Sequence, residues 1–216
     1  MAMNIPNGDY LEFASRAGSI SFWMKTTQNP GGIPCEIVSQ HQSTASGPGW
    51  GFTMDSSGHG QIYGKSSPSN QVLGISDSTV TLNDGNWHHI ALCFWFSTAL
   101  PQALWIDGVN KAQAFNGGNF STSINGRIGR SNDGFWPGYV GQIAEVGIWG
   151  GPSVTGYLPD DAIRALAKGF RPPEVYTKDF KAYMPLVGDK RDLVALDGQP
   201  GITGGVTFVD HNLRLF

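Results

Sequence analysis

The chain has 216 residues, 40% of them hydrophobic and only 14% charged, with 30 glycines and 13 prolines. That is enough apolar material for one substantial core built from short strands and many turns, and too little charge for long solvated helices. A formal net charge of −3 argues against a protein that binds nucleic acid through a basic face, and no apolar run reaches the roughly 20 residues of a membrane-spanning helix.

The opening segment, MAMNIPNGDYLEF, lacks the basic start and apolar core of a signal peptide. The expectation is synthesis and folding in the cytoplasm, with export by another route or removal of a leader left open. Strand signals then follow one another with turn punctuation. They run through DYLEFAS (9–15), SISFWMKTT (19–27) and CEIVSQ (35–40). The stretch GWGFTMDSSGHGQIYGKS reads as a hairpin turning at Ser56–Gly60, and STVTL (78–82) as a further strand.

The stretch DGNWHHIALCFWF (84–96) holds two adjacent histidines, and alternation decides how they are read. Successive strand side chains point to opposite faces, so His88 and His89 do not chelate one ion together. Ile90, Leu92, Phe94 and Phe96 share the core face with His88; Trp87, His89, Ala91, Cys93 and Trp95 share the other. That second face is apolar too, so it is covered by another layer or binds something. One histidine is expected inward and hydrogen-bonded, the other near the rim.

The chain then continues through ALWIDG, GRIGRS and GYVGQIAEVGIWG to a helix at about Pro159–Lys168. Pro159 suits a helix start, Asp160 and Asp161 complement the dipole, and Ile163, Leu166 and Ala167 form the apolar stripe. Gly169, Pro172 and Pro173 mark its end. FKAYMPLVG and GITGGVTFVDH add strand-like material that completes the same domain over 176–216. Cys35 and Cys93 lie in apolar segments and read as two buried thiols. The fold expected is all-β: one antiparallel sandwich of jelly-roll type with one short helix.

Four segments in this order, SISFWMKTT, LNDGNWHHIAL (82–92), LWIDGV (104–109) and GRIGRSNDGFWPGYVGQIAEVGIW (126–149), resemble the laminin-G-like group of the concanavalin A-like lectin/glucanase superfamily. The helix and the C-terminal strands resemble an extension found in a subset of that group. The resemblance implies a concanavalin A-like jelly roll. For the subset common in phage and prophage structural proteins, it implies a virion-surface role such as capsid decoration or a tail component. Where the group often carries Asp-Glu, this chain has Ala144-Glu145.

Function is read from candidate side chains, because this fold hosts many activities. Glycosidases need two carboxylates about 5–9.5 Å apart, and the glutamates Glu12, Glu36, Glu145 and Glu174 each stand alone in their segments. The chain is therefore expected to be non-catalytic, with a hydrolase a remote alternative. Sugars are held by aromatic faces and a few polar anchors. Trp95 and Trp105, if opposite each other across a hairpin, would form one such surface. Phe135 and Trp136 in the turn SNDGFWPG would form another; the alternative is that Trp95 and Trp105 lie beneath a second layer. Trp23, Trp50, Trp87 and Trp149 are expected in the core. Such domains often hold calcium in rim loops, and Asn132 and Asp133, with Asp55, Asp77 or Asp84, are the candidates by residue type. The reading favoured is a lectin-like module taking a glycan; a structural protein contacting protein partners, with homo-oligomers in view, is the alternative.

Overall fold

The computed structural model describes residues 2–5, 17–41, 49–67, 70–95, 101–115, 125–130, 136–150, 156–186 and 201–203. The strands in chain order are β1 Ala2–Ile5, β2 Ala17–Lys25, β3 Cys35–His41, β4 Gly49–Met54, β5 Gly60–Ser67, β6 Asn70–Ser76 and β7 Trp87–Trp95. They continue with β8 Gln102–Ile106, β9 Val109–Ala114, β10 Gly126–Ile128 and β11 Gln142–Gly150. Helices α1 Asp160–Leu166 and α2 Pro172–Val175 precede β12 Phe180–Met184 and β13 Gly201–Thr203. A seven-stranded sheet in the order β13-β1-β10-β3-β4-β5-β6 faces a six-stranded sheet in the order β12-β11-β2-β7-β8-β9. Among the described residues the named strands all pair antiparallel, with one isolated parallel bridge between Glu36 and Gly138, which makes the all-β jelly-roll sandwich that the strand density implied.

Alternation places the core between the sheets. On β2, Ile20, Phe22 and Met24 point inward, and across an unbroken register they meet Leu92, Ile90 and His88 of β7. The opposing sheet contributes Ile37, Val38, Trp50, Phe52 and Ile62. Phe22 meets Phe52 edge-on at 6.0 Å, and Trp50 packs on Phe94 at 5.0 Å. Each such large side chain contributes about 1.5–3 kcal/mol on burial. The Trp50 indole is satisfied by donating to Gln40 Oε1 at 3.2 Å, which is how a polar edge is tolerated in that layer.

The second, apolar face of β7 is covered. Ala91, Cys93, Ala103, Trp105 and Trp149 form a separate cluster with Leu158, Ala162, Ile163 and Leu166, so α1 lies on the outside of the six-stranded sheet. Trp149 Nε1 donates to Tyr176 O at 2.7 Å, Ser19 Oγ accepts from Leu158 N–H at 3.0 Å, and Tyr157 donates to Pro101 O at 3.0 Å. These bonds dock the segment from 156 to 176 onto the sheet. Pro159 is the N-cap of α1 and not its first turn. The second short helix, α2, starts at the prolines read as a stop signal: Pro172 and Pro173 lack only N–H groups that a first helical turn leaves unused.

One expected strand is not formed. STVTL is a run of bends and turns, because the Asp77 carboxylate accepts from the Thr79 hydroxyl at 2.7 Å and the Val80 N–H at 2.8 Å and folds the chain back. Strands β1, β6 and β9 were not anticipated; β9 is an outer strand with the pattern of a half-wet edge. DYLEFAS and the segment beyond Thr203 lie outside the described residues. Cys35 and Cys93 are both free and buried, one in each hydrophobic cluster. Burial pushes their thiols up to about 11 and about 12, so both stay protonated and inert.

Candidate functional site

The His-His pair is structural. His89 is wholly buried beside Trp23, 5.4 Å between rings, with Nε2 2.8 Å from Ser21 Oγ. Burial pushes its pKa down to about 3, so it is neutral. His88 sits at the rim between two carboxylates, 2.8 Å from Asp107 Oδ2 and 3.2 Å from Asp84 Oδ1. Its pKa is raised, chiefly by the hydrogen bond to Asp107. Asp107 also accepts from the His89 N–H at 2.8 Å, from a turn residue at φ 52°. The histidines thus fasten the β8–β9 turn and the 84–86 turn to β7.

The tryptophan surface read from sequence is corrected by the register. Trp105 pairs with Ala91, and Cys93 with Ala103, so Trp95 lies beyond the paired residues and not opposite Trp105. Trp105 is only 3% exposed; α1 covers it, with the Arg164 guanidinium 5.7 Å above its ring. Trp50, Trp149 and Trp23 are buried as expected, while Trp87 is half-buried.

An open site exists on the other outer face, that of the seven-stranded sheet. There the register sets two cross-strand rows. One runs Arg127, Ser39, Gly51, Tyr63, Gly74 from β10 to β6. The other runs Glu36, Thr53, Gln61, Ser76 from β3 to β6. Inward neighbours such as Ile62 and Ile75 belong to the core, so these rows point away from it. A hollow of about 460 Å³ opens between Gln61, Tyr63, Lys65, Gly74, Ser76 and Trp136, with Ile62 and Ile75 completing its lining. Its size falls within the range of small-molecule sites.

Two glycines shape it. Gly74, directly across from Tyr63, leaves the space beside the phenol ring open. On the other flank, a Cβ at Gly51 would lie 2.6 Å from both Glu36 Oε1 and Tyr63 Oη. Only glycine leaves room there for the Tyr63 hydroxyl to donate to the wholly buried Glu36 carboxylate. The Trp136 ring stacks on Tyr63, centroids 6.0 Å apart and planes 25° apart. The wall is thus two aromatic rings, the polar groups are a carboxamide, a hydroxyl and an ammonium, and one buried glutamate fixes the phenol from behind.

Of the residues singled out in the sequence, Trp136 is therefore in the hollow, Trp105 and Trp95 are on the opposite sheet, and Phe135, Asn132 and Asp133 lie outside the described residues. Asp55 holds its own turn, its Oδ1 accepting from Ser57 N–H at 2.8 Å and His59 N–H at 2.9 Å. Asp84 likewise accepts from Asn86 N–H at 2.8 Å. Among the described residues, no three His, Cys, Asp or Glu side chains are grouped to hold a metal ion. Tyr63, Gln61 and Ser76 were not picked out from sequence. The only signal was the alternation of GQIYGKS, which puts Gln61, Tyr63 and Lys65 on one face. Glu145, next to Ala144, sits in a β-bulge at φ 53° and accepts from the Tyr183 hydroxyl at 2.5 Å. Burial raises its pKa, and it lies on the helix-covered sheet, not in the hollow.

The architecture is a jelly-roll sandwich with an aromatic hollow on one outer face. Residues 2–153 match the Laminin_G_3 family, and the chain belongs to the concanavalin A-like lectin/glucanases superfamily. No curated protein matches the chain in sequence. Among solved structures, it is similar to domain 4 of AbnA, an extracellular arabinanase of Geobacillus stearothermophilus, seen in complex with arabinotriose. The TM-score is 0.54 at 18% identity, over 77% of this chain and 72% of that one. The heptameric SAP-like pentraxin of Limulus polyphemus is similar at a TM-score of 0.52 and 12% identity, over 79% and 82%. The binding domain of botulinum neurotoxin DC, in complex with SialylT, is similar at 0.51 and 16%, over 70% of this chain and 35% of that one. These likenesses confirm the fold. No helix among the described residues is long and apolar enough to cross a membrane.

Proposed function

We propose that the protein is a non-catalytic carbohydrate-binding module that takes a sugar residue in the hollow between Tyr63, Trp136 and the β5–β6 hairpin. The observation that carries this reading is the Tyr63–Trp136 pair beside a hollow of about 460 Å³ whose polar groups, Gln61, Lys65 and Ser76, come from two neighbouring strands. Aromatic faces cover the apolar C–H face of a sugar ring, and a carboxamide and a hydroxyl match its hydroxyl groups. The arabinanase domain, seen in complex with arabinotriose, and the toxin domain, seen in complex with SialylT, give the reading support by analogy of fold. Display on a particle surface, such as a phage virion, belongs to the same proposal and rests on the sequence resemblance alone. Self-association does so too, with the heptameric pentraxin as its analogy.

The test is a glycan array with and without calcium, comparing the wild type with Trp136→Ala and Tyr63→Phe. Binding lowered about tenfold by Trp136→Ala, equal to about 1.4 kcal/mol, and less by Tyr63→Phe supports the hollow. Calcium dependence would point to oxygen ligands of the kind Asn132 and Asp133 carry. A bound glycan shortened over time would overturn the non-catalytic part. A wild type that binds no glycan in either condition would overturn the reading and turn the search to protein partners.

A further inference from the structure

We infer that Gln28, far from the hollow in sequence and on the other sheet's exit loop, is the positioning residue that sets the Trp136 wall. For its functional half the inference rests on the glycan-hollow reading above. Trp136 does not stand on a strand of the sheet it covers. It stands in an arm, described over residues 136–141, that leads into β11. The arm touches the sheet through its own backbone at two places: Pro137 O accepts from the Glu36 N–H at 3.1 Å, and Tyr139 N–H donates to Gly129 O at 2.8 Å.

Between and beyond those points a side chain stands in for a strand. The Gln28 carboxamide donates from Nε2 to Gly138 O at 3.0 Å and accepts at Oε1 from Val140 N–H at 2.7 Å. One partner can only accept and the other only donate, so an amide fits both and a carboxylate or an ammonium fits one. This is the pairing that a neighbouring strand would offer the arm. The base of the clamp is itself fixed. Gln28 N–H donates to Thr26 Oγ1 at 2.9 Å, Gln28 O accepts from Asn83 Nδ2 at 3.1 Å, and Gly85 N–H donates to Thr26 O at 2.9 Å. Thr26 Oγ1 in turn donates to Val140 O at 2.6 Å, and the Tyr139 hydroxyl to Lys25 O at 2.8 Å. The aromatic wall on the seven-stranded sheet is therefore aimed from the six-stranded one, through a loop that contributes nothing to the lining of the hollow.

The experiment reads the wall and the binding separately. The Trp136 indole N–H signal, assigned with Trp136→Phe, is followed by NMR in the glycan-free protein. Affinity is measured by calorimetry for the best glycan from the array. Gln28→Ala is expected to move the Trp136 signal and to weaken binding about fivefold, the scale of losing two partly exposed hydrogen bonds. Gln28→Glu, the second variant, keeps length and the Val140 bond but sets a carboxylate oxygen against Gly138 O. Protonated, its carboxyl again offers one donor and one acceptor. Its signal and affinity are thus expected to return toward the wild type, measured in parallel, as pH falls below about 5. Asn29→Ala removes only the Asn29 Oδ1 bond to Gly31 N–H within the same loop and is expected to leave both readouts alone. A Trp136 signal unmoved in Gln28→Ala, or equally moved by Asn29→Ala, overturns the inference. A signal that moves while affinity stays within twofold upholds the positioning of the ring and overturns the reading of the hollow as the glycan site.

Discussion

The two outer faces of this sandwich begin from the same pattern and end differently. On the six-stranded sheet, β7 and β8 present Ala91, Cys93, Ala103 and Trp105, and α1 seals them with Ile163 and Leu166. On the seven-stranded sheet, the outward residues are Glu36, Thr53, Gln61 and Tyr63, and what lies over them is a stapled arm carrying one tryptophan. An apolar outer face is buried for stability by a helix; a mixed polar and aromatic one is left open as a surface. A tryptophan on an outer face is thus buried beneath the helix, as Trp105 and Trp149 are, or left partly exposed, as Trp136 is, depending on which sheet it leans against.

The sharpest way to break that contrast is to truncate one tryptophan on each face. Trp149→Ala, beneath the helical layer, is expected to cost about 3–5 kcal/mol in urea unfolding. Trp136→Ala, half-exposed on the arm, should cost under about 1 kcal/mol while carrying the binding defect. Equal stability losses would sink the division into a covered face and a working face. Next in size is Gly51→Ala, whose methyl would press on Glu36 and the Tyr63 hydroxyl at 2.6 Å. It should cost about 1–3 kcal/mol and displace the Tyr63 ring, so binding should fall with it; unchanged binding would show that the phenol is not part of the wall.

A third test uses acid. In the unfolded chain His89 titrates near 6.5, but the fold holds it neutral to about 3. Below pH 6.5 the unfolded state therefore binds a proton that the native state refuses, and stability falls by up to about 1.4 kcal/mol per pH unit. His88 has the opposite sign. Its raised pKa gives a contribution present below its ordinary value and lost as pH rises through the folded one. Urea midpoints from pH 7.5 to 5 should thus fall with acid. The fall should be shallower in His89→Gln and steeper in His88→Gln; parallel curves would refute the assignment. The smallest effect belongs to Arg164→Gln, which removes a guanidinium 5.7 Å over Trp105 and should cost about 0.5–1 kcal/mol, measurable as a small drop in the same midpoints.

The jelly roll was legible in the sequence because alternation and turn residues are local. SISFWMKTT, WHHIALCFW and the Ser56–Gly60 turn carry their own pattern, and they form β2, β7 and the β4–β5 turn. STVTL carried a strand-like pattern too, and a single carboxylate, Asp77, overruled it. The hollow was mostly illegible. Trp136 was picked out as an exposed aromatic beside turn residues, but Tyr63, Gln61 and Ser76 are ordinary strand residues until the register lays β5 against β6 and Gly74 leaves a gap. Trp105 stood between two readings, a binding surface and a residue beneath a second layer, and the second holds, because its exposure depends on whether a helix later in the chain docks over it.

Composition and periodicity by themselves determined the class of fold and the two faces of β7, with His88 and His89 on opposite ones. Those follow from properties each residue carries with it: φ/ψ preference, polarity and the two-residue repeat of a strand. Only the tertiary structure decided which face stays open, which tryptophan lines it and which distant glutamine holds that tryptophan in place. These depend on contacts between segments more than a hundred residues apart, and their free energy comes from pairs of groups, not from any one of them.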